Sequence, residues 1–322
     1  MAHLQELLAR FDAGDVQSAS RLMSVVERGG EDAERVLDAV FPRTGRAHRI
    51  AITGPGGAGK STLINELTRT FRAAGRSIGV VAEDPSSPFS GGAVLGDRLR
   101  MTNALGDGGV FVRSLASRGS ESGLSPLASE LADLLDAFGR DIILLESMGA
   151  SQVETRVRFS ADTVVVVLTP EAGDEVQSLK SGLLEVADIV AVNKADRGGA
   201  ESLAGDVQAI MDLRGAKGDW RPPVLLTSMR DAAGMEKLVA ALASHNAYLD
   251  GDQRRAARRN DALRSRMRDR VEESVRSAVW QGPILGQRFD AIFERVTAGS
   301  LPPWRAAREL AESLHIEFRS SR

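Results

Sequence analysis

Gly54-Pro55-Gly56-Gly57-Ala58-Gly59-Lys60-Ser61 is the stretch that decides how this chain is read. A glycine, four open positions and Gly-Lys-Ser make the phosphate-loop pattern. Small residues let consecutive N–H groups turn inward around phosphate oxygens, and a helix beginning at the end of the loop adds the positive end of its dipole. Lys60 is placed to reach the outer phosphates as a point charge. The Ser61 hydroxyl is placed to ligate the magnesium that accompanies them. A Gly/Ala-rich loop ahead of a helix can also be purely structural, so the flanks matter. Arg49-Ile50-Ala51-Ile52-Thr53 reads as a buried strand, and residues 62–74 carry Leu63, Leu67 and Phe71 at helical spacing. Strand, loop and helix in that order predict a nucleoside-triphosphate site.

Outward from the loop, residues 46–247 alternate short apolar runs with longer amphipathic ones. The runs are Ile50–Thr53, Ile78–Ala82, Val110–Val112, Ile142–Glu146, Val164–Thr169, Ile189–Asn193 and Val224–Thr227. Several are apolar throughout, as strands covered on both faces must be. Helical segments such as Leu124–Phe138 and Ser178–Val186 lie between them. This alternation predicts an α/β fold, a mostly parallel sheet flanked by helices. Ligands then sit beyond the carboxyl ends of the strands.

The residues just past each strand therefore carry the chemistry. Glu83-Asp84-Pro85 comes after the second, and Gly91-Gly92-Ala93-Val94-Leu95-Gly96-Asp97-Arg98 closes the loop beyond it. Asp84 is placed to approach magnesium, and Asp97 to hold a metal-bound or attacking water. An isolated Asp-Pro would merely start a turn; beyond a phosphate-loop strand the metal reading is preferred. Glu146 ends an apolar strand, where a bare carboxylate is costly without a partner such as magnesium. Gly149 lets a backbone N–H approach the terminal phosphate.

Asn193-Lys194-Ala195-Asp196 comes directly after another apolar run. A carboxylate at its last position accepts hydrogen bonds from guanine N1–H and from the exocyclic amine. Adenine has an acceptor at the first point and no amine at the second, so a site built on this pairing rejects it by about 10⁴-fold. Leu226-Thr227-Ser228, with Met229 after it, sits where a backbone amide would complete guanine recognition.

Composition bounds the rest. The chain has 322 residues, 43% hydrophobic and 26% charged, as in an ordinary globular protein. A net charge of −3 argues against a nucleic-acid role. There are no cysteines, which excludes disulfides, thiolate zinc sites and cysteine nucleophiles. No run approaches the ~18 apolar residues of a membrane span, and a cytoplasmic protein is expected. His3, His48, His245 and His315 are scattered too widely for a metal-ligand motif.

Both ends lie outside the alternating region. Residues 1–45 show helical spacing and carry no visible chemistry; they are expected to form a helical cap on the main domain. From 248 to 322 the composition shifts. Eight arginines between Arg254 and Arg270 crowd a helical run with sparse apolar positions at Leu263, Met267 and Val271. Acidic neighbours and the lack of aromatics there favour a solvated amphipathic helix with one contact face. Helical stretches at Ile284–Ile292 and Trp304–Leu314 come next, and a dimerisation arm is the preferred role.

The series GDVQSASRLMSVVE, FPRTGRAHRIAITGPGGAGKST, VVAEDPSS, GGAVLGDRLRM, VRSLASRG, ESMGASQVE and TPEAGDEVQSLKSGLLEVADIVAVNKAD covers nearly the whole chain. It resembles the MeaB/ArgK group of G-protein chaperones, which serve adenosylcobalamin-dependent acyl-CoA mutases. GGAVLGDR and VRSLASR are also similar to the G domain of the fused isobutyryl-CoA mutase. The resemblance implies a P-loop GTPase with an N-terminal helical cap and a C-terminal helical arm. It implies a homodimer through that arm that gates cofactor delivery to methylmalonyl-CoA mutase or a related enzyme and removes inactivated cobalamin. GTP or GDP and Mg²⁺ would bind this chain, whereas adenosylcobalamin belongs to the mutase; an adenosyltransferase is a further implied partner.

Carried over by position, Gly54 through Thr62 bind phosphates, Ser61, Asp84, Asp97 and Glu146 form the metal and water shell, and Asn193, Lys194 and Asp196 read guanine. The family's third switch resembles Thr169–Lys180, with Asp174, Gln177 and Lys180 as its polar members. Lys60, Asp97, Glu146 and Lys180 are the catalytic candidates; Arg98 and Arg100 are further candidates to neutralise phosphate charge. Two departures stand out. Pro55 and Gly56-Gly57 alter the apex of the loop, and Gly149 is succeeded by Ala150-Ser151-Gln152, so the resemblance leaves the water-activating group unassigned. Two other readings stay open, a P-loop kinase acting on a small molecule or protein and a metal-insertion GTPase. Asn193–Asp196 disfavours the first, and the absence of Cys/His clusters the second.

Overall fold

The structure, a computed structural model, describes residues 2–85, 107–117, 124–148, 154–171, 182–214, 219–228, 230, 232–280 and 283–320. Seven strands run through it: β1 (His48–Thr53), β2 (Ile78–Pro85), β3 (Val110–Ser117), β4 (Ile142–Glu146), β5 (Thr163–Leu168), β6 (Ile189–Val192) and β7 (Val224–Leu226). They form one sheet in the order β3-β2-β4-β1-β5-β6-β7, every pair parallel. The phosphate-loop strand is central, between β4 and β5. All seven expected runs are strands, and β3 continues beyond its short apolar start to Ser117.

Alternation explains why these strands read as unbroken apolar runs. In β5, Val164, Val166 and Leu168 face one core while Val165 and Val167 face the other. The same division separates Ala51 of β1 from Ile50 and Ile52. One face is covered by α4 (Lys60–Ala73) and α7 (Ala232–Asp250), through Leu63, Ile64, Leu67, Leu238 and Leu242. The other is covered by α5 (Pro126–Ala137) and α6 (Ala200–Arg214), and by α1 (Ala2–Asp12), α2 (Val16–Arg28) and α3 (Glu31–Val40).

The N-terminal helices thus share the sheet's own core. Leu7, Phe11, Leu22, Met23, Val36 and Val40 are all buried in it, each worth about 1.5–3 kcal/mol if fully transferred from water. Phe138, after α5, sits between Phe11 at 5.1 Å and Phe111 of β3 at 6.4 Å. Local chemistry sets the helix ends. Asp15 accepts from the amides of Gln17 and Ser18 to start α2, and Ser125 accepts from Ala128 N to start α5 ahead of Pro126.

At the amino ends of the strands lies a buried charge network. Asp162 accepts from Arg49 N at 3.0 Å and from Arg259 Nε and Nη2 at 2.8 and 2.7 Å. Asp188 accepts from Val164 N at 2.8 Å and from Arg258 Nη1 and Nη2 at 3.1 and 2.7 Å. Burial alone would push the Asp162 carboxyl up, but the Arg259 guanidinium holds it below its ordinary value. Arg49 adds bonds to Asp133 and Asp136 at 2.8 and 2.9 Å. Arg255, Arg258 and Arg259, expected on a solvated helix, therefore bind the sheet's underside through Asp162 and Asp188. Two of the histidines pack into the same region: His48 Nε2 and His245 Nδ1 both reach the Thr163 hydroxyl, at 2.7 and 2.8 Å. No group of three His, Cys, Asp or Glu able to hold a metal occurs among the described residues.

The chain divides into two compact units, residues 1–262 and 263–322. The first takes in the root of α8 (Arg254–Trp280), with Arg255, Arg258 and Arg259. The second contains the rest of α8, α9 (Pro283–Thr297) and α10 (Pro303–Ser320). Within it Arg295 pairs with Glu309 at 2.7 Å, and Phe289 lies against Trp280 and Phe293. No helix among the described residues is long and apolar enough to cross a membrane.

Candidate nucleotide site

β1 ends at Thr53, and the loop after it starts with a residue that must be glycine. Gly54 has φ +145°, and a Cβ there would lie 2.1 Å from the carbonyl oxygen of Val167 on β5. The loop therefore presses directly on the neighbouring strand. Gly59 closes it in the left-handed region, φ +89°, where a Cβ would meet Asn193 Nδ2 at 2.6 Å. Helix α4 starts at the next residue, with Leu63 N donating to Gly59 O at 2.9 Å. Lys60 is buried, its ammonium donating to the carbonyls of Gly54 and Pro55 at 2.9 and 3.1 Å. The loop's own backbone holds the cation at its centre.

Ser61 and Glu146 meet, although 85 residues separate them: the Ser61 hydroxyl donates to Glu146 Oε1 at 2.7 Å. The sheet register explains it, since Glu146 stands opposite Ile52 of β1 and Ala82 of β2 at the carboxyl edge. Ser147 extends that edge, donating from N to Ile52 O at 3.1 Å and from Oγ to Thr53 Oγ1 at 2.8 Å. A hydroxyl and a carboxylate oxygen at this separation suit magnesium, which takes hard oxygen ligands from one or two side chains and completes its shell with water and phosphate. The residues present fit that ion. β2 carries Asp84 to the same edge of the sheet, paired with Ala116 of β3.

β6 delivers the third part. Asn193 is buried; its Nδ2 donates to Ala58 O at 2.9 Å, and its Oδ1 accepts from Thr227 Oγ1 at 3.2 Å. Ala195 N donates to Thr227 O at 3.0 Å, so the loop after β6 is hydrogen-bonded to the end of β7. Asp196 Oδ1 accepts from Ser228 Oγ at 2.8 Å, and Arg230 Nε lies 3.6 Å from Oδ2. The Ser228 hydrogen bond chiefly, with help from Arg230, holds the Asp196 carboxyl below its ordinary value. It is therefore an ionised acceptor at neutral pH, the form that guanine pairing needs.

The structure thus brings together Gly54, Pro55, Gly56, Gly57, Ala58, Gly59, Lys60, Ser61, Thr62 and Glu146 at one part of the carboxyl edge. It places Asn193, Lys194, Asp196 and Ser228 alongside. Asp97, Gly149, Asp174, Gln177, Lys180 and Met229 lie outside the described residues, as do Arg98, Arg100 and the side chain of Asp84. From Leu226-Thr227-Ser228 sequence reasoning expected only a backbone amide, and it missed the side-chain roles of Thr227 and Ser228. It also missed Glu171, whose carboxylate takes the Lys194 ammonium at 2.9 Å and the Arg197 guanidinium on its other oxygen. No spacing signal announces either contact.

Comparison with known proteins agrees with this geometry. The family described as methylmalonyl Co-A mutase-associated GTPase MeaB matches residues 19–283. A Pyrococcus abyssi protein named as a GTPase is 39% identical over 94% of each chain. GTPase ArgK of Escherichia coli is 29% identical over 98% of each. A crystal structure described as a LAO/AO transport system kinase superposes with TM-score 0.74 at 25% identity, covering 98% of each chain.

Proposed function

Because the chain belongs to the MeaB family of methylmalonyl-CoA mutase-associated GTPases, we propose that it uses GTP hydrolysis to gate adenosylcobalamin loading onto an acyl-CoA mutase, and to protect and reactivate that mutase. Methylmalonyl-CoA mutase or a related enzyme is the partner, and the cobalamin is the mutase's own. The observation that carries the GTPase part is the Asn193–Ala58 hydrogen bond of 2.9 Å, which joins the base-reading loop to the phosphate loop as one site.

In this reading residues 54–62 wrap the phosphates with backbone N–H groups, and Lys60 transfers its ammonium from the loop carbonyls to the outer phosphates. Ser61 and Glu146 hold the magnesium, with Asp84 and Asp97 completing the metal and water shell. The metal supplies charge neutralisation at the phosphate undergoing transfer. Gly149 offers its N–H to the terminal phosphate. Asp196 accepts from guanine, Lys194 lies along the same loop, and Ser228 and Met229 close the base pocket. Asp174, Gln177 and Lys180 carry nucleotide state to the mutase, Lys180 also neutralising phosphate charge once docked.

The helical segment 248–322 is the dimerisation arm of this proposal, residues 46–247 the GTPase domain and residues 1–45 its cap. Met267, Val271 and Val275 are exposed at fourfold spacing along α8, an apolar stripe suited to a second copy of the chain. An adenosyltransferase is a further partner, and the cytoplasm the compartment. Two measurements test the reading. Fluorescent GDP should bind and fluorescent ADP should not; the reverse preference would favour the kinase reading that the solved structure's description raises. Adding a cobalamin-dependent mutase should accelerate GTP hydrolysis, and transfer of adenosylcobalamin to that mutase should depend on the nucleotide. Hydrolysis indifferent to the mutase, with cofactor loading indifferent to GTP, would overturn the chaperone role.

A further inference from the structure

We propose that Glu171 is a positioning residue for guanine recognition, latching the guanine-reading loop to the chain that leaves β5. The inference rests on the assignment of Asn193–Asp196 as that loop. It concerns a residue that the phosphate-loop and base motifs do not include.

The loop from Asn193 to Gly199 is held from two sides. On the β7 side Thr227 and Ser228 bind Asn193, Ala195 and Asp196. On the β5 side the strand pairing runs on past the last paired residues. Asn193 N donates to Leu168 O at 2.7 Å. Gly199, at φ +90°, lies against Pro170, close enough that a Cβ there would be 3.6 Å from the proline Cβ. Glu171 then closes the contact. One carboxylate oxygen accepts from Lys194 Nζ at 2.9 Å, and the other meets the Arg197 guanidinium.

Lys194 is the member of the loop that most needs holding. Its φ of +56° places a long side chain in the left-handed region, where non-glycine residues are uncommon. A tertiary contact at its ammonium end fixes the direction of the side chain, and with it the backbone that presents Asp196 two residues on. Arg197 N donates to Lys194 O at 2.9 Å, so the two cations on Glu171 sit at the ends of one tight turn that contains Asp196. Glu171 thus grips the turn at both ends.

The latch is half-exposed, with Glu171 and Arg197 accessible over 49% and 52% of their side chains, so its effect is modest and screened by salt. Those two properties make it measurable. Dissociation of methylanthraniloyl-GDP is followed by a chase with unlabelled GDP at low and high ionic strength, for the full chain and for Glu171→Gln, Arg197→Gln and the double variant. We expect Glu171→Gln to release GDP about three- to five-fold faster at low salt. High salt should accelerate release from the parent and leave the variant unchanged. The double variant should be no faster than Glu171→Gln alone, and Glu171→Asp should recover part of the effect. Equal rates for parent and Glu171→Gln at both salts would overturn the latch while leaving the nucleotide site intact. A parent chain that fails to bind GDP would overturn the guanine assignment itself, and the latch with it.

Discussion

Asn193 Nδ2 donates to the carbonyl oxygen of Ala58 over 2.9 Å, a bond between residues 135 positions apart. It joins the phosphate loop to the Asn193–Asp196 loop, the two parts proposed to hold the phosphates and to read the base. Gly59 is glycine for the same reason, since a Cβ there would stand 2.6 Å from that nitrogen.

Replacing Asn193 with Ala removes this donor and leaves both the Ala58 carbonyl and the Thr227 hydroxyl short of a partner. Each loss at a buried site costs about 1–3 kcal/mol. GDP affinity should fall at least about tenfold, and thermal stability should fall with it. A variant with parental GDP affinity would show that the two halves of the site are not held through this residue.

Asp196→Asn tests base reading without disturbing the fold, because the carboxylate is partly exposed and the amide is isosteric. The amide presents an N–H where guanine also presents N–H groups, and GTP affinity should fall by about 10²-fold or more. Xanthosine triphosphate offers a carbonyl at that position and should bind the variant better than GTP does. Unchanged GTP affinity would remove Asp196 from the base pocket.

Ser61→Ala removes one of the two oxygens expected to face magnesium. Glu146 loses its 2.7 Å hydroxyl partner and remains buried. The magnesium concentration for half-maximal hydrolysis should rise about tenfold, since this ion depends on few protein ligands. Equal magnesium dependence in parent and variant would place the metal elsewhere.

These three sites were legible in the sequence because each is a short motif at the end of a strand, and parallel strands bring such ends to one edge. Gly54–Ser61, Glu146 and Asn193–Asp196 needed only order and local pattern to be placed. The charge network under the sheet was not legible. Arg49, Asp133, Asp136, Asp162, Asp188, Arg258 and Arg259 are spread along most of the chain, and ion pairing leaves no period in a sequence. Arg255, Arg258 and Arg259 look like any solvated helical face until Asp162 and Asp188 are seen opposite them.

Arg259→Met should expose the consequence. Asp162, 2% exposed, keeps Arg49 N and the Arg255 guanidinium at 3.5 Å but loses its bidentate partner; breaking a buried pair costs about 3–5 kcal/mol, and the remaining Arg255 contact reduces that loss. The urea midpoint should drop accordingly. Pairing the change with Asp162→Asn should restore much of the loss, since no charge is then stranded. A double variant as unstable as the single one would mean that Arg259 acts through packing of its stem rather than through charge.

The same network sets an acid limit through His48. Burial pushes its imidazole down to about 4 from an ordinary 6.5, with Arg255, His245 and Arg259 also opposing the proton and Asp162 favouring it. In the folded chain the ring is therefore neutral through most of the range in which the unfolded chain would carry a proton. Between those two values the unfolded state binds more protons, so stability rises with pH there and is lost as pH falls from about 6.5 toward about 4. Asp162 shifts in the same direction, its folded value lowered from 3.8, so its contribution too is lost as pH falls, but only at still lower pH. The two effects are separable by pH. His48→Gln removes the titrating group and can still reach the Thr163 hydroxyl that now lies 2.7 Å from Nε2. Urea unfolding across this interval should show a shallower dependence on pH for the variant than for the parent. Parallel curves would mean that His48 is already free to take up its proton in the folded chain, and that the His48–Thr163–His245 chain is broken in solution.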